Sequence, residues 1–374
     1  MNKGKKLRVG VIFGGKSGEH EVSLTSAKNV IKAMDKSKYE IVPLGISKSG
    51  LWLSGSEVMA QLQAAATLPP HLAAQAAEQA DPVNFKGGSL VPQGEQVGQL
   101  DLIFPVLHGP MGEDGTIQGL LELANLPYVG CGVTGSATAM DKVIAKSIFQ
   151  AHGLPIVPHQ VVLRSRWQTD PEGTLDQVEA ALNYPMFTKP ANLGSSVGIS
   201  KAKNRAELQH GLTEAARYDR KLVVEQGVNA REIEVSVLGN DTPQASIPGE
   251  VIPSREFYSY AAKYIDDNSQ LLIPAPLTTA QTEQAQQLAI AAFQSLDCAG
   301  LARVDFLLDK ASEQLYINEV NTMPGFTAIS MYPKLWEASG LPYSQLIDRL
   351  IDLALARFEE KQQLDSSFDV AHAE

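Results

Sequence analysis

Leu301-Ala-Arg-Val-Asp-Phe-Leu-Leu308 and, after the polar turn Asp309 to Glu313, Gln314-Leu-Tyr-Ile-Asn-Glu-Val-Asn321 read as the two strands of one hairpin. Successive side chains of a strand point to opposite faces, so Arg303 and Asp305 share a face, and Glu319 and Asn321 share one on the partner. Pairing of Asp305 with Glu319 sets Arg303 against Asn321 and gathers all four polar groups on one side of the sheet. Two carboxylates and an amide oxygen so placed are hard ligands, suited to a magnesium ion that also holds phosphates. A solvated sheet face with one ion pair has the same pattern, and the hairpin alone leaves both readings open.

Upstream, Lys189-Pro-Ala-Asn-Leu-Gly-Ser-Ser-Val-Gly198 places a lysine at the end of a strand, Pro185 to Lys189, ahead of small residues. A second strand is expected from Ser196 to Ser200. Backbone amides of such a loop can approach a phosphate closely, although a flexible hairpin tip has the same composition. It is not a Walker A loop, in which the lysine follows the last glycine. Phe257-Tyr-Ser-Tyr-Ala-Ala-Lys-Tyr-Ile265 reads as a lid that closes on substrate, or as a plain surface loop. Asn321-Thr-Met-Pro-Gly-Phe-Thr-Ala-Ile-Ser330 continues directly from the polar strand, and Gly325 can offer its amide to an anion.

The chain begins with an open α/β unit. Leu7 to Phe13 reads as a buried parallel strand that turns at Gly14-Gly15 into a helix with apolar residues at Leu24, Ala27, Ile31 and Met34. Strands follow at Tyr39 to Ile46 and Asp101 to Leu107, and helices from Thr116 to Asn125 and from Ser136 to Gly153. Residues 54 to 98, rich in Ala and Gln, carry no functional reading. Lys221 to Glu225 reads as a short strand ending at Gly227. Arg231 to Leu238 alternates Ile233, Val235 and Val237 with Glu232, Glu234 and Ser236, the pattern of a half-solvated strand whose carboxylates face water. A last amphipathic helix carries Leu346, Leu350, Leu353 and Ala354. The domains expected are 1–131, 132–226 and 227–374.

Gly130-Cys-Gly-Val-Thr-Gly135 matches the dinucleotide-binding pattern, but no Asp or Glu occurs from Lys142 to Thr169, where a ribose-binding carboxylate belongs. These glycines are read instead as a close-packed turn.

The 374 residues suffice for two or three cores; 44% are hydrophobic and 20% charged, an ordinary globular balance. A net charge of -11 disfavours nucleic acid as a partner. Cys131 and Cys298 are too few for a disulfide framework. No apolar run reaches membrane-spanning length, and the basic start is broken at Gly14-Gly15-Lys16, so a cytoplasmic protein is expected.

Six motifs occur together in order: Gly14-Gly-Lys-Ser-Gly-Glu-His-Glu-Val-Ser-Leu24, His108-Gly-Pro-Met-Gly-Glu-Asp-Gly115, Met140-Asp-Lys142, the glycine-serine loop, Ala262-Lys-Tyr264, and Arg303-Val-Asp305 through Asn321-Thr-Met-Pro-Gly325. With them the chain resembles the D-alanine:D-alanine ligases of the ATP-grasp superfamily along nearly its whole length. The resemblance implies an α/β fold of three domains, α+β in its C-terminal part, with a Rossmann-like open sheet first and ATP gripped between the other two. It implies that Lys142, Lys189, Ser195 and Ser196 meet ATP phosphates, that Lys263 meets the γ-phosphate, and that Glu225 and Glu232 hold the adenosine part. Asp305, Glu319 and Asn321 would bind two magnesium ions, or manganese in their place, and Arg303 would steady developing charge. Glu21 would bind the first D-alanine's ammonium in a network with Ser195 and Tyr264, with His108 nearby. Gly325 and Ser330 would serve the second substrate's carboxylate. Where several relatives have Glu-Lys this chain has Glu225-Gln226, so no cation is assigned there. The resemblance also implies a homodimer and no nucleic-acid or membrane partner. A ligase taking D-lactate or D-serine as acceptor, and a non-catalytic ATP-binding regulator, are the competing readings; the presence of Tyr264 favours an amine acceptor.

Overall fold

A computed structural model of the chain describes residues 5–55, 58, 99–194, 197–253 and 270–365. Three sheets organise them. In the first, β1 (Leu7–Gly14) runs parallel to β2 (Tyr39–Ile46) and to β4 (Leu102–Val106), and the short β3 (Trp52–Ser54) caps the edge antiparallel to β2, giving the order β3-β2-β1-β4. Burial on both faces explains why β1 and β4 read as continuous apolar runs and not as alternating ones. The turn out of β1 needs glycine: Gly14 has φ 94°, and a Cβ there would lie 2.1 Å from the carbonyl oxygen of Ile46. It leads into α1 (His20–Ala33), which buries Leu24, Ala27 and Val30 against one sheet face; α2 (Thr116–Leu123) covers the other with Ile117 and Leu121.

The helix expected from Ser136 to Gly153 is two helices, α3 (Val133–Met140) and α4 (Lys142–Ala151). Asp141 divides them. Its backbone is extended and its carboxylate accepts hydrogen bonds from the amides of Val143 and Ile144, which ends one helix and caps the next. The Gly130–Gly135 turn is close-packed, as its composition suggested. A Cβ on Gly135 would lie 2.5 Å from the Asp297 carbonyl oxygen, and one on Gly300 3.3 Å from the Gly130 nitrogen.

The second sheet is antiparallel, in the order β5-β8-β6-β7, from β5 (His159–Leu163), β6 (Met186–Pro190), β7 (Ser200–Ala202) and β8 (Lys221–Gln226). Of the strand expected from Ser196 to Ser200, Ser196 lies outside the described residues, and the observed strand begins at Ser200 and runs to Ala202. Helices α5 (Arg164–Thr169), α6 (Pro171–Ala181) and α7 (Arg205–Ala215) bury Trp167, Leu175, Val178, Leu208 and Leu212 on one face of it.

The third sheet runs β12 (Gln270–Leu272), β11 (Gly249–Ile252), β9 (Ala230–Gly239), β13 (Gly300–Asp309), β14 (Leu315–Asn321), with β10 (Gln244–Ala245) beside β9. Its apolar face, formed by Ile233, Val235, Val237, Ala302, Val304, Phe306, Leu315, Ile317 and Val320, packs on α8 (Thr279–Ser295) together with Ala145 and Phe149 of α4. Ala285, Ala289 and Ala292 line the buried side of α8, and a Thr278–Gln281 capping box starts the helix. Finally α9 (Met331–Ala338) and α10 (Tyr343–Gln362) return to the first sheet. Leu346, Ile347, Leu350 and Ile351 share one core with Val9, Val11, Phe104 and Val106. Phe326 is lodged in that core, with ring centroids 6.0 Å from Phe104, 5.6 Å from Tyr332 and 6.4 Å from Tyr343.

Candidate active site

The hairpin has the register read from its sequence: Arg303 pairs with Asn321 and Asp305 with Glu319. A register shift between Asp305 and Phe306 makes Asn318 an extra residue. Without that bulge Glu319 and Asn321 would fall on the face of Leu315 and Ile317; with it they join Arg303 and Asp305 opposite the apolar core. On this polar face Arg303 Nε lies 2.7 Å from Asp305 Oδ1 and Nη2 lies 2.8 Å from Oδ2, while Asn321 Nδ2 donates to Asp305 Oδ2 at 3.0 Å. Of the carboxylates on the neighbouring β9, Glu232 is half-buried and Glu234 is turned away from water. Glu234 is 5% exposed and stands 3.0 Å from Arg303 Nε, because β9 is an inner strand between β11 and β13.

Lysines from the other side meet this face. Lys189, at the end of β6, has Nζ 2.6 Å from Glu225 Oε2 and 3.3 Å from Asn318 Oδ1. Lys142, in the first turn of α4, has Nζ 3.4 Å from Glu319 Oε2 and donates to the Leu193 carbonyl at 2.9 Å. One turn along α4, Lys146 lies 2.8 Å from Glu225 Oε1 and is 1% exposed. Burial pushes the Glu225 carboxyl up, but the two ammonium groups outweigh it and hold the acid well below the usual carboxylate range. Burial lowers Lys146, Glu225 opposes this only in part, and Lys189 adds repulsion. Lys189 is raised despite its burial, since it faces Glu225, Glu319 and Glu232 together. Glu225, expected to hold the adenosine part, has both carboxylate oxygens against lysines in this structure.

At the open end of the first sheet, His108 follows β4. Its Nδ1 lies 2.9 Å from the Met323 carbonyl oxygen and 3.6 Å from Glu113 Oε1, and its Nε2 lies 3.2 Å from Ser26 Oγ. Burial opposes the imidazolium, but Glu113 and Glu19 raise its pKa. The Phe326 amide donates to the same Ser26 Oγ at 3.2 Å, which ties the Asn321–Ser330 loop to α1. Ser330 Oγ accepts from the Thr327 amide at 3.0 Å, and Gly325 is close enough that a Cβ there would sit 2.6 Å from it.

Glu21 is placed otherwise than expected. Its side chain is 46% exposed and paired with Lys48, on the outer side of α1. Glu19, at the helix N-cap, is 9% exposed and turned inward. A Cβ built on Gly109 or on Gly194 would meet its Oε2 at 2.8 and 3.0 Å, so this carboxylate sits between the first sheet and the glycine-serine loop. Ser195, Ser196, Lys263 and Tyr264 lie outside the described residues. Among functional candidates, Lys146, Glu234, Asn318 and Glu19 were missed from sequence. Lys146 was signalled by its spacing of four from Lys142, which stacks both on one helix face.

The sequence model described as D-ala D-ala ligase N-terminus matches residues 8–131, and the one described as D-ala D-ala ligase C-terminus matches residues 148–352. The D-alanine–D-alanine ligase of Heliobacterium modesticaldum is 54% identical over 366 residues, covering 96% of this chain and 97% of its own; that of Natranaerobius thermophilus is 50% identical, covering 97% and 99%. Among solved structures, the D-alanine-D-alanine ligase from Coxiella burnetii superposes with a TM-score of 0.82 at 39% identity, covering 96% of each chain. The VanG D-Ala:D-Ser ligase from Enterococcus faecalis superposes with 0.81 at 34% identity, covering 94% of this chain and 100% of its own. With both halves matched, near-complete coverage and an ATP-grasp pair of antiparallel sheets facing each other, the chain belongs to the D-alanine–D-alanine ligase family.

Proposed function

We propose that this chain joins two D-alanine molecules at the expense of ATP, giving D-alanyl-D-alanine, ADP and phosphate for peptidoglycan precursor synthesis in the cytoplasm. A carboxylate does not condense with an amine at neutral pH because hydroxide is a poor leaving group. In the first step an oxygen of one D-alanine carboxylate attacks the γ-phosphorus and ADP leaves. In the second, the amine of the other D-alanine attacks the carbonyl of that acyl phosphate, phosphate leaves and the nitrogen gives up a proton. Both steps gather negative charge, which fixed cations stabilise.

The observation that carries the reading is the meeting of Lys142 and Lys189 with the Arg303, Asp305, Glu319 and Asn321 face, at 3.4 Å to Glu319 and 3.3 Å to Asn318. Lys142 and Lys189 hold phosphates, and Arg303 answers the charge that develops on transfer. Lys263 serves the γ-phosphate and Glu232 the adenosine part. Ser195 and Ser196 offer amides and hydroxyls. Asp305, Glu319 and Asn321 fit magnesium, or manganese, by the chemistry of their oxygen donors. Among the described residues no three His, Cys, Asp or Glu side chains are grouped so as to hold a metal ion by themselves, so Asp305, Glu319 and Asn321 would hold it together with phosphate oxygens and water. Two such ions, when bound, neutralise and align the phosphates. Among the described residues no helix is long and apolar enough to cross a membrane. A homodimer is expected from the family.

Glu19, and not Glu21, binds the first substrate's ammonium in this reading, beside His108, Ser195 and Tyr264, while Gly325 and Ser330 receive the second carboxylate. Glu19→Gln is expected to raise the KM for the first D-alanine by roughly 10- to 100-fold, the loss of one charge-assisted contact. Glu21→Gln leaves it within about twofold, as for an exposed pair. Initial rates against D-alanine concentration distinguish the two, and the reverse order of effects returns the role to Glu21.

Purified protein with ATP, magnesium and D-alanine tests the whole reading by phosphate release and product mass. Dipeptide formed only with all three present is the expected result. A larger yield of ester with D-lactate or of mixed dipeptide with D-serine moves the reading to those acceptors, and ATP binding without ADP in any mixture moves it to a regulator.

A further inference from the structure

Glu234 is a buried carboxylate that the chemistry above leaves without a task. It stands on β9 directly opposite Asp305 of β13. Two carboxylates facing each other on one side of a sheet repel. Arg303 relieves the repulsion: its Nε is 2.7 Å from Asp305 Oδ1 and 3.0 Å from Glu234 Oε2, and its Nη2 is 2.8 Å from Asp305 Oδ2. Both oxygens of Asp305 are therefore occupied, one by Nε and the other by Nη2 and Asn321 Nδ2. A divalent cation on Asp305 draws on the same two oxygens, of which only Oδ1 keeps an unused lone pair, and its charge repels the guanidinium. The metal thus weakens the two-pronged grip of Arg303 on Asp305, whereas Glu234 already touches Nε and requires no backbone movement.

We propose that Glu234 is a positioning residue that takes over Arg303 when Asp305 takes the metal. The transfer keeps the guanidinium in the site, frees Nη2 for the phosphoryl group, and leaves Asp305 its negative charge. The inference rests on the reading of Asp305 as a metal ligand. Without Glu234 the guanidinium bears more heavily on Asp305, and cation and arginine contend for that carboxylate.

Full-length protein titrated with Mn2+, the free ion followed by electron paramagnetic resonance without nucleotide, tests this. Glu234→Gln, nearly the same shape, is expected to weaken Mn2+ binding roughly tenfold, and Glu234→Asp to recover part of that loss. At saturating metal, kcat falls while the KM for D-alanine holds. In an Arg303→Gln background the Glu234→Gln effect on Mn2+ should shrink to within about twofold, as for a pair that acts together. An effect that persists undiminished there means that Glu234 acts through its own charge, and overturns the proposal. So does a Glu234→Gln protein with unchanged melting, Mn2+ affinity and kcat. Should Glu234→Gln melt below the assay temperature, Glu234→Asp, its carboxylate one methylene further from Arg303, must itself bind Mn2+ more weakly than the unaltered protein, or the proposal falls. Unaltered protein that binds no Mn2+, or whose binding Asp305→Asn does not change, instead overturns the metal reading and the inference with it.

Discussion

Arg303→Gln is expected to lower kcat by roughly 100- to 1,000-fold, the range for loss of one fixed donor aimed at developing charge. The guanidinium lies on the inner strand β13 between Asp305 and Glu234, so it stays on the site face whichever carboxylate holds it and is in place before the phosphoryl group moves. A preorganised cation costs no rearrangement as charge builds on the phosphoryl oxygens. Because its task belongs to the transition state, kcat and kcat/KM should fall together, with the KM for ATP nearly constant. Coupled-assay rates at several ATP concentrations give both numbers. A rise in KM for ATP with kcat within threefold would make Arg303 a ground-state binder, and a melting temperature well below that of the unaltered protein would assign the loss to folding.

The largest effect on stability is expected at Glu225. Its two oxygens serve Lys146 and Lys189 within a space that leaves the carboxylate 3% exposed. Glu225→Gln preserves the shape and removes the charge, so the enclosed Lys146 ammonium loses its carboxylate while it still faces the Lys189 charge. Breaking a buried pair in this way costs roughly 3–5 kcal/mol. The two proteins should also differ in the pH window of their response, although stability rises with pH in both. The native Glu225 carboxyl binds its proton less readily than the unfolded one, so its contribution is complete above the ordinary carboxylate range and is lost as pH falls below that range. In Glu225→Gln the buried lysines resist protonation instead. The unfolded chain then binds more protons than the native one, and stability should climb as pH rises from neutral toward the lysine range. Denaturant melts at acidic, neutral and mildly alkaline pH measure both slopes. A loss below about 1 kcal/mol at neutral pH would mean that the lysines find other partners.

The polar face of the hairpin was legible because charge at period two in an apolar strand leaves few alternatives. The bulge that makes that face was not read, although the apolar spacing Leu315, Ile317, Val320 changes phase where Asn318 enters. Glu19 and Glu21 were not separable by type. Two residues apart at the start of a helix they point about 200° from each other, and only the true position of the helix start, at His20, decides which one faces inward. The half-solvated reading of β9 failed because alternation reports a strand's two faces and not what covers them; β11 and β13 flank it, and Arg303 lies over Glu234. The single helix from Ser136 failed on one residue, since Asp141 is tolerated inside a helix by pattern and yet caps a new one here.

The core that joins α10 to the first sheet also sets a timetable for the growing chain. The strands of that sheet are complete once Val106 has been made, but the residues that share a face with Val9, Val11 and Phe104 lie in Leu346 to Ala354, near the other end of the sequence. At ordinary translation rates the interval is on the order of tens of seconds. The nascent first sheet must wait through it with apolar surface still to be covered, shielded by a chaperone or by transient contacts, and the enzyme's opening residues reach their final packing among the last.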